Sequence, residues 1–247
     1  YANHNIHKGY LNNIIEETSK FNYRIKTENF DLNLTSTKKP LLEAGKGFID
    51  LKSRTSYYYS LSNINTEGTI NINGREIDVT GKSWMDHQWA NVKDIKDKWT
   101  WFSIQLNDNT EIVCYEYDDG KNKSYLATIS YPNDKQISTE NISLIPTNVS
   151  WKSPVTKAKY PLSWKIIIPS QNISIKTNPL LKKQEMLFGT INYWEGPIEV
   201  EGIIKNKKVK GQGFLELMGY PKGVSDVRIL EYDIKKEFDK LTYHKRE

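Results

Sequence analysis

The sequence predicts an all-β protein of antiparallel strands, and three observations carry that expectation. Apolar and polar residues alternate at period two along most of the chain, stripes at helical spacing are almost missing, and tight-turn dipeptides separate the apolar runs. With 247 residues, 37% of them apolar, the chain has room for one large or two modest domains, each with its own core. Its 7 Trp, 15 Tyr and 7 Phe are too many for a solvated, disordered tail.

Taken in order, Leu11 to Ser19 reads as a short helix. The first clear strands are Thr69-Ile70-Asn71-Ile72 and Arg75 to Val79 around Asn73-Gly74, a pair that tolerates the positive φ angles of a primed hairpin turn. Trp99 to Leu106 and Glu111 to Tyr117 form a second hairpin around Asn107-Asp108-Asn109, and Asp118-Asp119-Gly120 turns the chain again toward Ser124 to Ser130, which makes a meander. The polar stretch Pro132 to Lys159 reads as a long excursion in which Ser143-Leu144-Ile145 could form a strand. Further strands are expected at Leu162 to Ile168, Asn172 to Lys176, Ile198 to Ile204 and Gly213 to Tyr220. Lys205 to Lys210 reads as a solvated turn, and Asp233 could cap a last helix carrying Ile234, Phe238 and Leu241 on one face. The expected architecture is therefore all-β with minor helix near both ends. The polar segment Asn91 to Lys98 divides it into domains 1–97 and 98–247.

Composition narrows the function. The net charge of +5 comes from lysines scattered along the chain, which does not favour nucleic acid as a partner. Cys114 is the only cysteine, so neither an internal disulfide nor a thiolate metal cluster is available, and the compartment stays open. No apolar run reaches the roughly 20 residues of a membrane span. A Gly-rich phosphate loop, a Gly-x-Ser-x-Gly elbow and an HExxH pattern are all missing, so the sequence implies no cofactor and no metal.

Three segments carry residue types suited to chemistry. Gly81 to Trp89 holds two tryptophans, an acid and an imidazole. If it is extended, Met85, His87 and Trp89 face one way, and Trp84, Asp86 and Gln88 face the other. An imidazole or carboxyl between aromatic walls suits proton transfer to an apolar substrate, although His87 could equally tie two strands together. The second segment is Tyr193-Trp194-Glu195-Gly196-Pro197. The third is Gly213 to Tyr220, where Glu216 shares a strand face with Phe214, Met218 and Tyr220. A carboxyl on such a face is either a proton donor with a raised pKa or a hydrogen-bonded anchor. Cys114, between apolar and aromatic neighbours, reads as a core filler.

At these residues the sequence resembles the family that joins carotenoid hydratases (hydroxyneurosporene synthases), the AttH-type "predicted secreted hydrolases" and the lipocalin-like Diels–Alderases. The resemblance rests on Ser56-Tyr57-Tyr58-Tyr59-Ser60, Gly81 to Trp89, Trp99-Thr100-Trp101-Phe102, Tyr193-Trp194-Glu195-Gly196 and Gly213 to Tyr220, in the family's order. It implies two lipocalin-like antiparallel β-barrel domains, the first incomplete at its N-terminus, with a ligand cavity at or between them. It also favours a secreted or cell-envelope setting. His87 and Trp89 match the histidine and tryptophan implicated in the carotenoid hydratases, and Tyr115 is the match for their tyrosine. The acid expected two residues further on falls on Tyr117, flanked by Glu116 and Asp118.

The expectation is a lipocalin-like hydratase, isomerase or cyclase acting on an isoprenoid- or polyketide-like hydrophobic small molecule. Asp86, His87 and Tyr115 are its candidate catalytic residues, and Trp84, Trp89, Trp101, Tyr193, Trp194, Glu195 and Glu216 its substrate-binding set. The alternative is a non-catalytic carrier of lipids or small hydrophobes, for which barrel interiors are equally suited. The oligomeric state is not legible in the sequence.

Overall fold

The structure is a computed structural model that describes residues 13–50, 55–90, 97–188 and 191–220. Packing divides the chain into two compact units, Tyr1–Asn91 with Asn109–Glu111 and Thr128–Ser138 in the first, and Val92–Asp108, Ile112–Ala127 and Thr139–Glu247 in the second. All pairings are antiparallel. Strands account for nearly all the regular structure, and the described residues contain no α-helix. The fold class is all-β, consistent with lipocalin-like barrels.

The first sheet contains β1 (Ile14–Ser19), β2 (Asn22–Lys26), β3 (Phe30–Ser36), β4 (Leu41–Leu42), β5 (Phe48–Asp50), β6 (Thr55–Ile72) and β7 (Arg75–Ala90). The helix expected over Leu11 to Ser19 is corrected here, because Ile14–Ser19 is a strand paired with β2. The β-branched Ile14 and Ile15 suit a pleated surface, and Phe21 takes a positive φ of 62° to fold the chain straight back. Long strand β6 organises this sheet, with β3, β4 and β5 along one edge and β7 along the other. Asn73 and Gly74 join β6 to β7 with φ of 53° and 78°, the primed turn that their chemistry predicts.

One irregularity interrupts this hairpin. Leu61 pairs with Met85 and Ile64 with Ser83, so Ser62 and Asn63 together oppose Trp84 in a β-bulge. The bulge lets Leu61 and Ile64 join Leu34 in one core cluster, with Tyr59 and Met85 packed at its margin. Asn63, itself buried, donates to Glu111 Oε1 at 2.6 Å. Glu111 also pairs with Lys38, whose ammonium reaches the Tyr131 carbonyl at 2.8 Å. A buried ion pair survives in a core when hydrogen bonds satisfy it on every side, as they do here.

The second sheet runs through β8 (Lys98–Leu106), β9 (Glu111–Asp118), β10 (Lys123–Ser130), β11 (Gln136–Thr139) and β12 (Ser143–Pro146). Strands β13 (Ser150–Lys152) and β14 (Lys159–Pro161) form a separate pair, and β15 (Trp164–Ile168), β16 (Ile173–Pro179), β17 (Glu185–Phe188), β18 (Ile191–Ile204) and β19 (Lys207–Met218) complete the sheet. Its order is β11-β10-β9-β8-β19-β18-β16-β15-β12, with β17 also on β18. The expected meander is its first half. Two sequence expectations change. Pro132 to Lys159 contains β11, β12 and β13 in place of one long excursion, and the basic run turns only at Lys205 and Asn206 (φ of 47° and 66°) before continuing as strand β19, where Val209 is buried. The polar boundary at 91–96 and the helix expected after Asp233 lie outside the described residues.

Alternation fills this unit's core. Phe102 and Ile104 from β8, Leu215 and Leu217 from β19, and Trp194 and Ile198 from β18 are all fully buried. β19 lies so close to β8 that a Cβ on Gly213 would sit 1.9 Å from the Ser103 carbonyl oxygen, which no larger residue could tolerate without moving backbone.

Candidate active site

Period-two geometry sorts the Gly81 to Trp89 segment onto two faces of the β6–β7 hairpin. His87 sits opposite Tyr59, and Trp89 opposite Tyr57. The Tyr59 hydroxyl lies 2.8 Å from His87 Nδ1. The rings continue as a ladder, His87 to Trp89 at 5.1 Å, Trp89 stacked on Tyr57 at 5.3 Å, and Tyr57 tilted against Phe48 at 5.2 Å. About half of Tyr57 and Trp89 remains exposed, at 51% and 50%. This face is an aromatic surface with one imidazole in it.

Asp86 occupies the other face. Its Oδ1 accepts from Ser60 Oγ at 2.6 Å and from Trp84 Nε1 at 2.8 Å, and the Tyr58 hydroxyl also donates to its carboxylate. Ser60 is fully buried and Tyr58 nearly so. Asp86 is exposed as a residue, while three neighbouring side chains bond its carboxylate. Burial pushes the carboxyl above the ordinary aspartate value, and the hydrogen bonds from Ser60, Trp84 and Tyr58 oppose the rise. Asp86 and Trp84 are thus brought together, while His87, the next residue, points away from both.

Sequence reasoning missed a second acid beside this one. Leu41, Ser60 and Asp86 lie in one row across β4, β6 and β7. Just past Leu42, the 3-10 turn Glu43–Gly45 brings in Glu43, which is fully buried. Thr128 Oγ1 donates to Glu43 Oε2 at 3.3 Å, and Oε1 has no hydrogen-bond partner. Burial drives the Glu43 carboxyl well above the usual glutamate range, and the charge of Asp86 pushes it further the same way. The only sequence signal for it was an acid after two leucines in front of the glycine-containing run Ala44-Gly45-Lys46-Gly47. Chain topology, not local pattern, places it near Asp86.

The other candidates gather in the second unit. Glu195, Glu216 and Trp101 stand in one cross-strand row over β18, β19 and β8, with Tyr193, Met218 and Trp99 in the row two residues along. Trp99 Nε1 donates to Glu216 Oε1 at 2.8 Å. The Tyr193 phenol is raised by burial and by the charges of Glu195 and Glu216. Trp194 points to the opposite, core face, where its Nε1 donates to the Lys182 carbonyl at 2.8 Å. Tyr115 is buried on β9 beside Val113 and Tyr117 on one side of the strand. A further carboxylate that sequence reading passed over, Glu185, accepts the hydroxyls of Ser153, Thr156 and Tyr160 and fastens β14 and its neighbouring loop to β17. The described residues contain no group of three or more His, Cys, Asp or Glu placed to hold a metal ion, and none of their helices is long and apolar enough to cross a membrane.

Surface clefts of about 420 and 590 Å³ lie elsewhere on the first sheet, lined by Arg24, Asp31, Asn33, Gly68 and Thr69, and by Thr35, Asn65, Thr66, Glu67, Thr80, Gly81 and Lys82. Their charged and hydroxyl linings do not match a hydrophobic ligand.

Comparison with known proteins adds a family to this geometry. The profile of the AttH-like family matches residues 6–220. Kievitone hydratase of Fusarium solani subsp. phaseoli is 26% identical over 206 residues, covering 76% of this chain and 56% of that protein. The dehydratase asqC of Emericella nidulans is 25% identical over 166 residues, covering 63% of this chain and 47% of that protein. The chain therefore spans about half the length of the curated relatives it matches. Among solved structures, an AttH protein from Nitrosomonas europaea superposes with a TM-score of 0.73 at 25% identity, over 85% of this chain and 68% of that one.

Proposed function

The chain belongs to the AttH-like family, and from that premise we propose that it adds water to, or removes it from, a hydrophobic small molecule of isoprenoid- or polyketide-like character. Both curated relatives carry names for this chemistry, one a hydratase and one a dehydratase. The observation that carries the reading is Asp86, a carboxyl with a raised pKa held by Ser60, Tyr58 and Trp84. Hydrating an alkene requires a proton delivered to carbon and another taken back from the attacking water. A carboxyl whose surroundings raise its hold on a proton can serve as donor and then as acceptor. Trp84, fixed by its bond to Asp86, offers a ring face to a developing cation.

In this proposal Asp86 is the proton-transfer group, and Trp84, on the same face of the hairpin, is the substrate-facing aromatic. His87 and Trp89 stand on the opposite face of the hairpin, outside the proposed proton transfer. Tyr115, Trp101, Tyr193, Trp194, Glu195 and Glu216 belong to the second domain of the 1–97 and 98–247 division. Among them we assign Glu216 to anchoring, because its carboxylate is already tied to Trp99.

A second reading has its own observation. The half-exposed ladder of Phe48, Tyr57, Trp89 and His87 would suit a carrier that holds a flat hydrophobe without converting it. Native mass spectrometry of the purified chain, followed by identification of any co-purified hydrophobe and its incubation with fresh protein, separates the two. Gain or loss of one water supports the enzyme, and recovery of the unchanged compound supports the carrier.

A further inference from the structure

Gln88 is the next residue after Asp86 on the same face of β7, and the water chemistry at Asp86 gives it no part. Residues two apart on a strand share a face and lie about 6.6 to 6.8 Å apart. Trp84, Asp86 and Gln88 therefore line up along β7 as ring, acid and amide. Across the hairpin, Ser60 opposes Asp86, Tyr58 opposes Gln88 and Ser56 opposes Ala90.

The β6 row that meets them is polar where a core is ordinarily apolar. Ser56, Tyr58 and Ser60 follow one another on that face and are 1%, 5% and 0% exposed. A buried hydroxyl costs stability unless it is hydrogen-bonded, and Ala at positions 56 and 60 would avoid the cost. All three instead bond side chains of β7. Ser60 and Tyr58 donate to Asp86, and Ser56 Oγ accepts Gln88 Nε2 at 2.9 Å.

The direction of that last bond fixes the amide. The Ser56 hydroxyl is aimed at the Tyr57 carbonyl at 3.4 Å, which leaves Oγ as an acceptor. Gln88 must then turn an N–H toward Ser56. Its Oε1 and second N–H bond no described residue, and Gln88 itself is exposed. An exposed amide held from beneath by a buried serine is preorganised for recognition.

Resting on the assignment of Asp86 as the proton-transfer group, we propose that Gln88 selects the substrate, by binding a hydroxyl of an unsaturated hydrophobe so that the double bond lies at Asp86. Ser56 is a positioning residue that acts through Gln88. A hydroxyl is the complementary group, because it donates to Oε1 and accepts from the remaining N–H at once. A carboxylate has no proton for Oε1 and would meet the Asp86 charge. An ammonium could donate to Oε1, but beside Asp86 it would favour the ionised carboxylate and oppose proton donation. Strand spacing sets the rest of the ligand, with its hydroxyl oxygen and reacting carbon about 6 to 7 Å apart. The substrate class is an alcohol or phenol with an alkene at that distance.

Ligand-observed NMR titration of the whole chain tests this with geraniol and 4-allylphenol as probes, each against its own methyl ether, which keeps the hydrocarbon and loses the donor. Wild type should bind each hydroxyl compound about 3- to 10-fold more tightly than its ether, the scale of one hydrogen bond. In Gln88→Met, of similar length and without the amide, the preference should vanish through weaker binding of the hydroxyl compound alone. Ser56→Ala should narrow the preference with Gln88 in place, whereas a glutamine that served only to satisfy Ser56 would leave it untouched. Should Ser56→Ala fail to fold, the Gln88→Met comparison at the exposed position decides alone. Equal affinity for hydroxyl compound and ether in wild type, no binding of either pair at millimolar concentration, or a preference that survives Gln88→Met overturns the assignment. Any of these together with loss of turnover of a co-purified hydrophobe in Asp86→Asn would leave the water chemistry standing and remove only Gln88. The predicted selectivity, in a chain whose Asp86→Asn variant keeps full turnover, would keep the hydroxyl site and remove the assignment of Asp86.

Discussion

Tyr59 and His87 face each other across β6 and β7, the phenol oxygen 2.8 Å from Nδ1 and the two rings 5.1 Å apart. The pair lies on the side of the hairpin away from Asp86, so strand alternation separates the imidazole from the acid. Replacing His87 by Ala should therefore cost little stability, less than about 1 kcal/mol for an exposed contact, while weakening the binding of a hydrophobic ligand to the ladder. Urea denaturation alongside quenching of tryptophan fluorescence by ligand checks both. Unfolding with no separate effect on ligand would make His87 a strand tie.

Lys38 and Glu111 form the most enclosed ion pair described, their side chains 8% and 0% exposed. Lys38→Met strands the Glu111 charge and should cost about 3 to 5 kcal/mol of unfolding free energy. Lys38→Met combined with Glu111→Gln removes both charges and should recover part of that loss. Denaturant midpoints of the single and double variants measure it.

Glu43 makes stability depend on pH with a definite sign. Its folded carboxyl lies well above the ordinary value of 4.5, so the native chain keeps a proton that the unfolded chain releases. This group's contribution is complete below about pH 4.5 and is lost as pH rises toward the folded value. Glu43→Gln cannot titrate. Its stability relative to wild type should therefore increase with pH above 4.5, by at most about 1.4 kcal/mol per pH unit. Urea titrations between about pH 5 and 8 test the trend, and a constant difference would mean that Glu43 titrates normally.

Glu195 and Glu216 face each other directly on β18 and β19, a like-charge pairing, with Trp99 bonded to Glu216. Glu216→Ala should lower stability by about 1 to 3 kcal/mol, leaving the rate per folded molecule unchanged. Glu195→Gln should be neutral or slightly stabilising, by about 0.5 kcal/mol. A drop in rate at full stability in either variant would move the chemistry to this row.

The features legible in the sequence are those set by local periodicity. Asn73-Gly74 announces the β6–β7 hairpin, and alternation within Gly81 to Trp89 puts Asp86 with Trp84 and His87 with Trp89. The features that stay hidden are non-local. Ile14 and Ile15 suit a short helix as well as a strand, and only pairing with β2 decides between them. Glu43 is carried to the Asp86 side of the first sheet by the pairing of a two-residue strand with β6, and no sequence spacing encodes that placement. The bulge at Ser62 and Asn63 has no glycine to mark it, so the inward turn of Asn63 toward Glu111 is equally silent.

Water chemistry at Asp86 is tested most directly by incubating the chain in ¹⁸O-labelled water with any hydrophobe that co-purifies with it, and following product mass. Wild type should form a product carrying one labelled water. Asp86→Asn should bind the same compound with the rate reduced on the order of 10²-fold or more, the scale expected for losing a general acid. Label incorporation by Asp86→Asn at the wild-type rate, or binding by wild type with no label incorporated, would contradict it.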